Sequence, residues 1–190
     1  MAPSEADETS LAHDTVRHAY LDRQGDLWLA THGGGLDRFD RAAGTFEHHR
    51  HDPADPDSIA RDELRTVYED RRGNLWIGTY GGGLDRLDRA TGRFLHLRHD
   101  PADPASLPND YVRVLLEDRL GELWVGTQGG GLDRLDRASG RCQHHRHDPA
   151  DPTSLPHDDV RALLEDSAGT LWVATFGGLA RREADGRFTR

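Results

Sequence analysis

Lysine is absent from this sequence, cysteine and methionine occur once each, and no apolar run exceeds a few residues. Each absence excludes something. The lone Cys142 cannot build a disulfide framework within one chain, and it leaves the redox compartment open. Apolar runs this short cannot cross a bilayer as helices, so no membrane insertion is expected. The opening MAPSEADETSLAHD carries neither the basic nor the apolar stretch that a secretory signal needs. Arginine alone supplies the fixed positive charge: 24 basic residues face 34 acidic ones, and the formal net charge is −10. Such a chain repels a phosphate backbone, and nucleic acid is not an expected partner. Catalytic signatures are missing too, with no G-x-S-x-G elbow, Walker loop or H-E-x-x-H. The glycine triplets are not followed by a helical pattern, so they lack the helix terminus that cradles phosphate. No cofactor and no enzymatic activity are expected.

What is present is repetition. Trp28, Trp76, Trp124 and Trp172 recur at a constant interval of 48 residues. Around them run DRQGDLWLATHGGGLDRFD, DRRGNLWIGTYGGGLDRLD, DRLGELWVGTQGGGLDRLD and DSAGTLWVATFGGLARRE. A fixed period of this size marks a repeat architecture. Each copy reads as four short strands. The first, VRHAYLD in the first copy, ends in Asp22, Asp70, Asp118 or Asp166. A D-x-x-G turn follows, where Gly25, Gly73, Gly121 or Gly169 can supply positive φ. LWIGT and its equivalents are rich in β-formers and make the second strand. A glycine-rich turn leads into a third strand such as GLDRLD, and a fourth such as RFLHLR closes the unit. The linker HDPADP then leads onward, its prolines excluding helix and central strand.

No copy carries a helical apolar period, and four strands per repeat of this length are what a propeller blade requires. The expected fold is therefore all-β, a β-propeller array over residues 1–190 with four four-stranded blades at about 14–51, 62–99, 110–147 and 158–190. A parallel β-helix is the alternative. The pattern DRxGxLWxGTxxGGLxRxD followed by RFxxxRHDPxDPxSL also resembles the two-component regulator propeller repeat, over almost the whole chain. The resemblance implies an extracytoplasmic sensor propeller of a bacterial hybrid two-component system, non-catalytic, whose ligand is a small polar molecule such as an oligosaccharide. The location it implies is periplasmic for a piece of a sensor and cytoplasmic otherwise. Four blades can close as one ring or be completed by a second chain into eight. Unclosed end blades would expose apolar faces, so a homodimer is the favoured expectation.

Strand order places the turn after strand two and the linker after strand four at one end of each blade. There the copies differ where their neighbours do not: His32, Tyr80, Gln128 and Phe176 occupy the position after the second strand. Aromatic and amide side chains suit stacking on sugar faces and bonding to hydroxyls, so these four are the candidate ligand-binding residues. The plainer reading is drift at an exposed turn. Arg17, Arg65, Arg113 and Arg161, one per first strand near the same end, are a second candidate set, able to hold a carboxylate or sulfate. The competing expectation pairs each with the aspartate three residues earlier: Asp14, Asp62, Asp110 and Asp158.

Three further patterns invite chemistry and have structural explanations. His49 with His51, and His145 with His147, have the spacing of two metal ligands on one side of a strand, but a polar outermost strand also prevents edge-to-edge pairing. No metal site is expected. The aspartates of HDPADPDS, HDPADPAS and HDPADPTS lack the spacing of a calcium loop, and Asp before Pro or Ser ordinarily makes a turn. Cys142 stands where other copies have Phe46 and Phe94, so it is expected to fill core space.

Overall fold

A computed structural model describes residues 9–190. The opening residues read above for a signal sequence lie partly outside them. The described chain is all-β, with sixteen strands in four antiparallel four-stranded sheets. The first blade holds β1 (Val16–Leu21), β2 (Leu27–Thr31), β3 (Leu36–Asp40) and β4 (Thr45–His49). The second holds β5 (Leu64–Glu69), β6 (Leu75–Thr79), β7 (Leu84–Asp88) and β8 (Arg93–Leu97). The third holds β9 (Val112–Glu117), β10 (Leu123–Thr127), β11 (Leu132–Leu135) and β12 (Cys142–His145). The fourth holds β13 (Val160–Glu165), β14 (Leu171–Thr175), β15 (Gly178–Arg182) and β16 (Phe188–Thr189). Within each sheet the strands follow in chain order, which is the up-and-down meander of a blade and not the parallel stacking of a β-helix. Among the described residues no helix is long and apolar enough to cross a membrane.

The contacts divide the chain into two compact units, Met1–His96 and Leu97–Arg190. In the first, Trp28, Ala30 and Leu36 of one blade pack against Leu64, Val67 and Ile77 of the next, with Tyr20 at the margin. In the second, Trp124 and Leu132 pack with Val160, Leu171 and Val173, and Val114 and Leu116 lie against them. A blade has two apolar faces and can bury them only on its neighbours.

Each blade is pinned at both ends by its own repeat. At one end the aspartate that ends the first strand accepts the indole N–H of the same blade's tryptophan: Asp22 from Trp28 at 2.8 Å, Asp70 from Trp76 at 3.0 Å, Asp118 from Trp124 and Asp166 from Trp172 at 2.8 Å. Its other oxygen takes turn amides, as Asp22 does from Gln24 and Asp26. The D-x-x-G glycines adopt φ of 82–90°, the left-handed conformation expected of them. At the other end Thr31, Thr79, Thr127 and Thr175 donate to a carbonyl of the glycine turn. The HDPADP linkers close on themselves: Asp52 accepts the Ala54 amide, and Ser58 donates to the carbonyl of Asp55. The next two linkers repeat the aspartate–amide bond at Asp100 and Asp148. These aspartates make the turns that residue order before proline suggests. Cys142 is buried and its thiol is pushed up to about 12, first by burial and then by the Asp133 charge, so it is inert packing.

Candidate functional site

The register of the first two strands breaks at one place in every blade. Leu64 pairs with Thr79 and Thr66 with Gly78, which leaves Arg65 as the extra residue of a β-bulge. The same shift leaves out Arg17 between Val16 and His18, Arg113 between Val112 and Val114, and Arg161 between Val160 and Ala162. All four candidate arginines therefore sit on bulges. A bulge bends the strand and re-aims the side chain it carries.

The arginines are aimed at the second candidate set. The Arg65 guanidinium lies 4.5 Å from the ring centroid of Tyr80, and that of Arg161 lies 5.4 Å from Phe176. Arg113 donates to the side-chain carbonyl of Gln128. The position after the second strand is itself held by its backbone: the amides of His32, Tyr80, Gln128 and Phe176 donate to the carbonyls of Thr15, Glu63, Tyr111 and Asp159. Each blade thus presents a bulge arginine beside a fixed, variable side chain, except the first. There Arg17 is exposed, and His32 meets the His13 ring edge-on at 6.4 Å.

Among the described residues, the expected pairing of the arginine with the aspartate three residues earlier does not form in blades two and four. Asp62, Asp110 and Asp158 accept the backbone amides of His51, His99 and His147 at 2.6–2.7 Å, tying each incoming linker to the next blade. In the second unit Asp159 takes the arginines instead, 3.0 Å from Arg161 and 3.4 Å from Arg113. In the first unit no carboxylate of the described residues forms an ion pair with Arg65, and its Nε is buried without an acceptor. A guanidinium over tyrosine in this way leaves its terminal nitrogens, not the buried Nε, to meet an acidic or hydroxylated ligand.

The histidine clusters are dispersed among separate tasks. His48 donates to Asp37 at 2.7 Å, His49 stacks on Trp28 with centroids 5.9 Å apart, and His51 donates to the Ile59 carbonyl at 2.8 Å. His144, His145 and His147 repeat these roles on Asp133, Trp124 and Leu155. Among the described residues no group of three or more His, Cys, Asp or Glu is placed to hold a metal ion.

With this geometry in hand the family follows. Residues 10–33, 58–81, 106–129 and 154–177 each match the two component regulator propeller, and the chain belongs to that family. It is a four-bladed β-propeller array of the kind found in extracellular sensor domains. No curated protein matches the sequence. Among solved structures it is similar to the extracellular domain described as that of the hybrid two component system BT3049 from B. thetaiotaomicron. That match has 28% identity and a TM-score of 0.82, covering 98% of this chain and 25% of that one. The extracellular domain of BT4673 from the same organism is similar at 23% identity and a TM-score of 0.77, with 96% and 26% covered. A virginiamycin B lyase from Staphylococcus aureus shares the fold at 16% identity and a TM-score of 0.66, over 94% of this chain and 56% of that one. This chain spans about a quarter of the length of the two sensor domains.

Proposed function

We propose that the chain is a non-catalytic, sensor-type binding module that takes a small polar ligand of the oligosaccharide class outside the cytoplasm. The ligand lies on the face of the first unit that bears His32 and Tyr80, with the bulge Arg65 beneath. The observation that carries the reading is the Arg65–Tyr80 stack: a bulge spends backbone hydrogen bonding to put a guanidinium next to an aromatic ring at a position where the blades differ. Such a platform stacks on a sugar face and donates to its hydroxyls or carboxylate. The extracellular character of the similar sensor domains supports the location.

Calorimetric titration against neutral and acidic oligosaccharides tests it. Tyr80→Ala and Arg65→Ala are each expected to weaken binding about tenfold, roughly 1.4 kcal/mol, without loss of fold. Absence of heat at millimolar ligand overturns the proposal. That result favours a second reading, a scaffold unit with no small ligand, which the engagement of Arg113 and Arg161 by Asp159 supports.

A further inference from the structure

We propose that the first blade docks, head to tail, on the fourth blade of a second copy of this chain. The inference is independent of the ligand reading. It starts from what joins one blade to the next. At the first junction Arg23 donates its backbone amide to Glu69 at 3.0 Å, and its guanidinium reaches the Asp70 and Arg71 carbonyls at 2.6 and 2.9 Å. Arg89 reaches back from the second blade to Asp22 at 2.7 Å and also holds Glu69 at 3.1 Å. Between the third and fourth blades Arg119 repeats the first clamp on Glu165, 2.9 Å from its amide, and on the Asp166 carbonyl at 2.8 Å. Two sites thus define a junction, an arginine on the leaving blade and a glutamate on the arriving one.

The outer faces of the first and fourth blades lack both. Ser167 stands in the fourth blade where Arg23 and Arg119 stand in theirs, and Leu21 stands in the first blade where Glu69 and Glu165 stand. Loss of the cation on one face matches loss of the anion on the other. What remains also matches. Asp166 holds Trp172 as Asp22 holds Trp28, but among the described residues no arginine pairs with its carboxylate as Arg89 does with Asp22, while Arg41, the counterpart of Arg89, is exposed. The apolar surfaces agree as well. On the fourth blade Leu164 is 62% and Leu179 54% exposed, and Trp172 is half-buried where Trp28 and Trp124 are buried. On the first blade Leu21 is 55% and Val16 38% exposed, at positions where Glu69 and Leu64 are buried. A generic blade of this repeat would bring an arginine or a glutamate to either face and leave it facing leucine or serine. A second copy brings the complement, with Arg41 on Asp166 and Leu21 over Ser167.

Light scattering and sedimentation of the full chain at micromolar concentration test the idea, with circular dichroism and tryptophan fluorescence as fold controls. A mass above that of one chain is expected, and Leu164→Glu is expected to reduce it to one chain. Leu21→Glu strands a carboxylate at the junction and is expected to weaken association at least tenfold. Adding Ser167→Arg to it rebuilds the clamp of the other junctions and is expected to restore association. A single-chain mass for the unaltered protein overturns the proposal. So does an assembly indifferent to Leu164→Glu, or one in which Ser167→Arg fails to rescue Leu21→Glu, because the contact then lies elsewhere.

Discussion

Asp22 and Trp28 form the hinge pin of the first blade: the carboxylate takes the indole N–H at 2.8 Å and, on the same oxygen, the Arg89 guanidinium at 2.7 Å. One buried atom therefore joins a strand end, a core ring and the neighbouring blade.

Burial by itself would push the Asp22 carboxyl up, but the bonds from Trp28 and Arg89 outweigh it and hold the group below its ordinary value. A depressed folded value contributes stability above about pH 4 that is lost as pH falls through the folded pKa. Asp22→Asn should cost about 2–4 kcal/mol at pH 7, because it uncharges a partner of Arg89 and leaves it buried. Urea denaturation of both proteins at pH 7 and pH 3 checks this. The gap should narrow at the lower pH.

Pro108 creates a defect that the first two blades avoid. Ala12 and Ala60 donate backbone N–H groups to Asp37 and Asp85 at 2.9 and 2.7 Å, and the equivalent residue in the third blade is proline, which has none. Asp133 is left with Oδ2 unpartnered, and burial pushes its carboxyl up to about 6 despite the His144 bond. The folded protein then keeps a proton that the unfolded chain gives up near pH 4, so this group's contribution falls as pH rises from about 4 to about 6. Pro108→Ala restores the donor. It should lower the Asp133 value in a carbon-13 titration and flatten the loss of stability across that window.

His145 sets an opposite dependence. Packed on Trp124 and Phe188, with centroids 5.7 and 5.6 Å away, it is lowered to about 4, chiefly by burial and then by Arg182 and Arg134. A neutral buried imidazole contributes stability above about pH 6.5, and that contribution is lost as pH falls toward 4. Leu97 holds the same position in the second blade. His145→Leu should therefore gain stability over the unaltered protein as pH drops from 7 to 4.5, on the order of 2 kcal/mol, measured by thermal melts at each pH.

Two glycines with similar φ should respond differently to alanine. Gly25 at φ 90° has open space around its missing Cβ, whereas a Cβ on Gly35 at φ 81° would collide with the His49 carbonyl. Gly25→Ala should cost about 1 kcal/mol, the left-handed penalty alone. Gly35→Ala should cost clearly more, because β3 must move away from the end of β4. Chemical denaturation of the pair checks the ranking.

The fold was legible because its determinants are local and repeated. The tryptophan interval, the D-x-x-G turns and the alternating strands each act within one blade. The site was legible only by residue. The bulge that turns Arg65 toward Tyr80 carries no glycine or proline to mark it, since it is a register shift between two strands. Sequence proximity suggests Asp62 as the partner of Arg65, but three residues of extended chain span about 10 Å and end on opposite sides. Proximity of that kind is a helical rule. The carboxylate turned instead to the incoming linker at His51. The His49–Trp28 stack was hidden for a similar reason, because strand pairing brings together residues that no spacing rule connects.

Several of the bonds that cross between blades share a sequence separation. Tyr20 to Glu69, Arg23 to Glu69 and Arg119 to Glu165 all reach 46–49 residues along the chain, close to one full copy. Excising or duplicating a whole copy in the gene would therefore present each of these groups with a chemically equivalent partner. Length can change by unit steps while every internal contact type survives, and such a protein can evolve by copy number before it evolves by substitution.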